Sequence, residues 1–145
     1  MQKRINIQQT DPEAYKAMYP LERYLSASSL QTTHKNLIKI RASQINGCAF
    51  CINLHTKEAR EAGETEQRIY LLNAWKEVEI FSDAEKALLA LTEAVSLIKD
   101  HVTDEVYTTA ASFFDEKYLA QIIMAIVTIN AWNRIAITTH LQPQI

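Results

Sequence analysis

Gly47-Cys48-Ala49-Phe50-Cys51-Ile52-Asn53-Leu54-His55 holds the only two cysteines of the chain, three positions apart, with a histidine four residues after the second. Gly47 accepts the left-handed conformation that closes a helix, so one helix ends there and another starts at or just before Cys48. In that second helix successive residues turn by about 100°, which brings Cys48, Cys51 and His55 within roughly 60° of one another on one face. Two thiols and a base on a shared face are the components of reversible dithiol chemistry. They are also three of the four donors that a structural zinc site needs.

Outward from this segment the pattern stays helical. Only 2 glycines and 3 prolines occur in 145 residues, which leaves little material for hairpin turns, and no stretch alternates in the manner of a strand. Asp11-Pro12 reads as a helix start with proline at the first helical position, and Pro20 as a break or kink soon after. A second helix starts near Thr33 and runs to Asn46, and the third stops at Gly63. Thr65 caps a fourth covering Ile69, Leu72 and Trp75. Ser82-Asp83-Ala84-Glu85 matches a capping box for a fifth through Leu88, Leu91, Val95 and Ile98. A sixth begins after Thr103, and the last and longest starts near Asp115, with Ile122, Ile126, Ile129 and Trp132 on one stripe. The expectation is an all-α chain of about six to seven helices, with residues 1–145 forming a single domain.

Composition narrows the class. Apolar residues make up 48% and charged residues 22%, as in globular proteins, and the formal charge is −2. That balance gives no electrostatic reason to expect a nucleic acid or an anionic membrane as partner. The N-terminal residues lack the apolar core of a secretory signal. Leu119 to Ile129 is too short to cross a bilayer and includes Gln121 and Thr128. A cytoplasmic protein is expected, and in that reducing compartment a CxxC pair reads as catalytic or metal-binding rather than as a structural crosslink.

The residues themselves leave three readings open. In the dithiol reading, Cys48 at the helix start feels the positive end of the helix dipole, which favours its thiolate. Cys51 lies one turn on, and His55, at i+4 from Cys51, can take its proton. In the zinc reading, His34, His101 or His140 supplies a fourth ligand, although no second cysteine pair is present. In the third, the dithiol is a non-enzymatic redox sensor that alters assembly. The remaining features read more plainly. Lys57, Glu58, Arg60, Glu61, Glu64 and Glu66 form a solvated face with pairs such as Lys57–Glu61. Asn130, Asn133 and Arg134 interrupt the last stripe as polar contacts across an interface, Arg41 pairs with a carboxylate or faces solvent, and six tyrosines show no pattern.

The stretch from Arg41 to Arg60, with its Ser43-x-x-Asn46-Gly47-Cys48-x-x-Cys51-x-x-x-His55 string, closely resembles the core motif of the AhpD-like alkylhydroperoxidases of the carboxymuconolactone decarboxylase superfamily. The likeness extends through Ala62-Gly63-Glu64, Trp75, the Glu85 to Glu93 helix and Ala131-Trp132-Asn133-Arg134. It implies an all-helical fold, with the core motif over residues 36–63, assembling as a trimer or hexamer. It also implies an antioxidant peroxidase acting on small organic hydroperoxides or hydrogen peroxide. By the same resemblance Cys51 attacks the peroxide and becomes a sulfenic acid. Cys48, the more accessible thiol, condenses with it to a disulfide, and His55 belongs to the proton relay. No bound cofactor or metal is implied; the reductant is an external dithiol of the lipoyl type, carried on a lipoylated protein or another donor. The lactone-decarboxylating members lack a CxxC pair, which argues against their substrate here.

Two departures stand out. The relay glutamate of alkylhydroperoxidase D falls on Asn36, twelve residues before Cys48, and an amide cannot exchange a proton near neutral pH. A relay histidine found in some members falls on Phe50. Either another acid serves His55, with Glu93 first and Glu22 and Glu79 behind it, or the activity is weak.

Overall fold

The computed structural model describes residues 1–145 and consists of helices and their connections, with no strand. In chain order the α-helices are α1 (Ile7–Thr10), α2 (Pro12–Lys16), α3 (Tyr19–Ala27), α4 (Thr32–Asn46), α5 (Ala49–Glu61), α6 (Glu66–Leu71), α7 (Asp83–Ser96), α8 (Asp104–Phe113) and α9 (Glu116–Thr138). Short 3₁₀ turns occupy Leu72–Glu77 and Ile98–Asp100.

Helix starts follow local chemistry closely. Asp11, Thr65, Ser82, Thr103 and Asp115 are N-caps, each accepting a backbone N–H from three residues on. Ser82 and Glu85 complete the reciprocal capping box. Pro20 differs from expectation. It lies in the first turn of α3, where its missing N–H has no helical partner to lose, so it opens a helix instead of breaking one. The N-terminal region accordingly carries three short helices where one was expected. The fourth helix also departs from a simple run: α6 ends at Leu71 and the chain tightens into the 3₁₀ turn, with Ala74 out of helical geometry (φ −116°, ψ 27°). Tertiary anchoring explains the change, because Leu72 and Trp75 are both buried and the Trp75 indole donates to a carboxylate on α7.

The core gathers around α9, which packs against α3, α4, α5, α7 and α8. Its buried Leu119, Ile122, Ala125, Ile126, Ile129 and Ala136 recur at helical spacing. All but Ala136, which packs with Cys48 and Cys51, share a core with Leu37, Ile38 and Ile40 of α4 and Leu88, Leu89 and Leu91 of α7. α9 spans 23 residues and by length and apolar character matches a bilayer-crossing helix; here those side chains form the centre of the core. α1 and α2 bury no residue, and α3 buries only Leu25, so the N-terminal region lies over a core built elsewhere.

A polar lock fixes α4 against α9. The Asn46 amide donates to Oδ1 of both Asn130 and Asn133 (2.9 Å each), and the fully buried Asn133 donates to Ser43 Oγ (3.0 Å). Asn130 in turn donates to Ser96 Oγ on α7 (3.0 Å). These asparagines thus join helices of one chain. Arg134 donates to the backbone and side-chain oxygens of Asn130.

Candidate active site

The turn from α4 into α5 sets up the dithiol. Gly47 adopts φ 69°, ψ 33°, and the Cys48 N–H reaches back to the Ser43 carbonyl (3.0 Å), closing α4 in a Schellman-type stop. One residue later Cys48 is the N-cap of α5, its sulfur accepting the Cys51 N–H at 3.3 Å. Cys48 and Cys51 are joined by a disulfide across a Cα–Cα distance of 5.3 Å, well inside the usual range. The first helical turn stays intact around it.

Cys51 and His55 line one wall of a cavity of about 290 Å³, with Phe50, Leu54 and Glu58 beside them on α5. Tyr15, Tyr19 and Glu22 from the N-terminal helices also line it, and Trp132, Ile135 and Ala136 of α9 complete it with Lys39 and Leu141. Most of the lining is apolar. Tyr15 packs against Trp132 (ring centroids 5.2 Å), and the Trp132 indole donates to Glu22 Oε1 (2.9 Å), holding the N-terminal wall to the core helix.

His55 is the buried base of this cavity. Its Nδ1 lies 2.8 Å from Glu58 Oε2, at i+3 on the same helix. With Nδ1 donating to that carboxylate, Nε2 carries the free lone pair. Burial holds the imidazole below its usual value of 6.5, and the Lys39 ammonium acts in the same direction. Glu58 and Glu22 oppose that shift without cancelling it. His55 is therefore neutral near pH 7, the form that accepts a proton.

Cys51 and His55 share the cavity, as their helical spacing anticipated. Cys48, the expected accessible thiol, does not line it; at 1% exposure it is as enclosed as Cys51 and packs against Cys51, Ala136 and Phe50. Glu93 faces elsewhere. Its carboxylate accepts from Arg41 Nε (3.0 Å) and Trp75 Nε1 (2.7 Å) and pairs with Lys76 (3.2 Å). Burial alone would raise its pKa, but the hydrogen bonds from Trp75, Arg41 and Lys76 outweigh that and hold it below the usual carboxylate value. That is the signature of an ion-paired brace between α4 and α7. Glu79 is an exposed partner of Lys86. Asn36 faces a different, polar cavity beside Thr32, Gly63, Glu64, Arg68 and Glu85.

Of the acids weighed from sequence, Glu22 reaches the cavity. Glu58, which contacts the histidine, reads in the sequence as part of a solvated face. The signal that could have found it is its i+3 spacing from His55. Lys57 from that face donates to the Gln144 carbonyl (2.9 Å), not to Glu61. Tyr15 and Tyr19, two of the six unassigned tyrosines, are cavity residues. Among the remaining histidines, His34 contacts the Tyr118 hydroxyl (2.6 Å), and no three His, Cys, Asp or Glu side chains converge as a metal site.

Comparison with known proteins agrees with this architecture. Residues 12–94, more than half of the chain, match the carboxymuconolactone decarboxylase family. An uncharacterized Bacillus subtilis protein, YdfG, is 46% identical over 138 residues, covering 94% of each chain. A crystal structure from Agrobacterium tumefaciens superposes with a TM-score of 0.96 at 40% identity over 99% of both chains; it is described as a protein of unknown function and a candidate antioxidant defence protein AhpD. The debrominase Bmp8, solved in complex with 2,3,4-tribromopyrrole, shares the fold at a TM-score of 0.85 and 20% identity, over 94% of this chain and 74% of its own.

Proposed function

Because the chain belongs to the carboxymuconolactone decarboxylase family and has an AhpD-like fold, we propose that it is a thiol peroxidase that reduces small hydroperoxides through the Cys48–Cys51 pair. One observation carries this reading: a disulfide-forming cysteine and a neutral, carboxylate-oriented histidine line the same mostly apolar cavity.

The chemistry follows from that arrangement. In the reduced protein His55 takes the Cys51 proton through Nε2, and the thiolate attacks the outer peroxide oxygen. The O–O bond breaks, an alcohol or water leaves with a proton, and Cys51 becomes a sulfenic acid. The Cys48 thiolate attacks the Cys51 sulfur, water departs, and the disulfide forms. An external dithiol, lipoyl-type or carried on a lipoylated protein, then returns two electrons. Tyr15, Phe50, Leu54 and Trp132 give the cavity an apolar lining suited to the organic part of a hydroperoxide. The reading includes assembly into a homo-oligomer, a trimer or a hexamer.

The test is hydroperoxide consumption by the pure protein with dihydrolipoamide, beside Cys48→Ser and Cys51→Ser variants. Turnover that falls to background in both variants is the expected result. Equal rates in all three proteins would sink the enzymatic reading.

A further inference from the structure

We propose that the reducing thiol enters through the same cavity as the peroxide and attacks Sγ of Cys51, so that Cys48 is the leaving group and not the sulfur that meets the reductant. This rests on the dithiol cycle above, and its test is independent of peroxide turnover.

Attack on a disulfide requires a path to one sulfur, and the sulfur attacked decides which thiolate departs. Both sulfurs are buried (Cys51 3% and Cys48 1% exposed), but Cys51 lines the cavity and Cys48 does not. Cys48 is enclosed by Cys51, Ala136 and Phe50 and follows the tight Gly47 turn. The leaving-group chemistry points the same way. Cys48 is the N-cap of α5, and its sulfur already receives the Cys51 N–H at 3.3 Å. A helix start and a backbone donor both stabilise the negative charge that arrives when the S–S bond breaks. A more stable thiolate leaves faster.

The steps balance. A reductant thiolate forms a bond to Cys51 Sγ, the Sγ–Sγ bond breaks, and its electron pair goes to Cys48. The second thiol of the reductant loses its proton to His55 and attacks the reductant's own sulfur in the mixed disulfide. The reductant departs as a disulfide, and Cys51 is released as a thiolate beside the imidazolium. One sulfur thus serves both half-reactions, and excess reductant competes with peroxide for one cavity.

The experiment uses the oxidised full-length protein and 2-mercaptoethanol as the probe, with acid quenching, alkylation by N-ethylmaleimide and fragment-ion mass spectrometry. The expected product carries mercaptoethanol on Cys51 and N-ethylmaleimide on Cys48; the reverse pattern, or an even split, overturns the proposal. A second measurement covers the case in which the mixed disulfide decays before quenching. Leu54 lies on the cavity wall with 39% exposure, so Leu54→Trp narrows the entrance from an already solvated position. That variant, melting at the wild-type temperature, is expected to be reduced by 2-mercaptoethanol several-fold more slowly. Reduction at the wild-type rate refutes a shared entrance. If thiol reduction behaves as expected while no hydroperoxide is consumed, the peroxidase reading fails and this one stands.

Discussion

Nδ1 of His55 and Oε2 of Glu58 are 2.8 Å apart on neighbouring turns of α5, so the base of the cavity receives its acidic partner from its own helix. The pair orients the imidazole without placing a second buried charge in the cavity, because the Glu58 side chain is 46% exposed. Glu58→Gln should lower the rate of Cys51 oxidation by about ten-fold, less than the roughly 100-fold or more of a group that transfers the proton itself, because Glu58 only orients the base. Such an exposed pair adds less than about 1 kcal/mol to stability, so the melting temperature should hardly move. Stopped-flow oxidation and a thermal melt on the same variant check both halves. An unchanged oxidation rate removes Glu58 from the mechanism.

Glu93 should behave in the opposite way. Its carboxylate is shared by Arg41, Trp75 and Lys76, and the Glu93 and Arg41 side chains are 17% and 16% exposed. Glu93→Gln leaves the guanidinium short of its counter-charge at a cost of about 1–3 kcal/mol, below the range for fully buried pairs. Peroxidase activity per folded molecule should stay near wild type. Denaturant unfolding alongside a rate assay separates the two, and a selective loss of rate would return Glu93 to the relay.

Asn133 is the buried centre of the lock between α4 and α9, with no exposed surface. Asn133→Ala removes its bonds to Ser43 and Asn46 and strands the buried Ser43 hydroxyl, while Asn46 keeps its bond to Asn130, so the cost should be about 1–3 kcal/mol. Urea midpoints for Asn133→Ala and Ser43→Ala test this, with the smaller Ser43→Ala effect expected because only one bond is lost. A neutral Asn133→Ala would show that apolar packing alone holds the two helices.

Acidification should destabilise the fold in two stages. Burial holds His55 and His34 below their usual 6.5 in the folded chain. Between that value and the lowered one, the unfolded chain binds more protons, so stability is full above about pH 6.5 and is lost as pH falls. Glu85 and Glu93 are held below their usual 4.5 by Arg68 and by the Trp75–Arg41 group, against the effect of burial. Their contribution is complete above 4.5 and disappears as pH drops through the lowered values. Melting temperatures from pH 8 to 3 should show both declines, and His34→Gln should soften the first. A melting temperature that rises on going from pH 7 to 5.5 contradicts the assignment.

The N-caps, the Gly47 stop, the all-helical class and the convergence of Cys51 with His55 were legible in the sequence because each depends on local geometry. A capping serine or a left-handed glycine acts within a turn, and i,i+4 spacing fixes which side chains meet. What remained hidden depends on long-range packing. Glu93 reads as an ion-paired carboxylate or as a relay acid, and its ion pairing depends on the approach of Arg41 and Trp75 from other elements. The burial of Cys48 comes from Ala136, more than eighty positions away. Glu58 was the exception: its proximity to His55 was local, but the surrounding run of charges disguised it as ordinary surface.

The lining that Tyr15, Tyr19 and Glu22 contribute belongs to a segment burying only Leu25, whereas the rest comes largely from α5 and α9, which hold the motif and the core. Part of the cavity lining can therefore change at little cost to the core, while the part on α5 and α9 cannot. Substitutions at positions 15, 19 and 22 can reshape what the cavity admits while the scaffold stays intact.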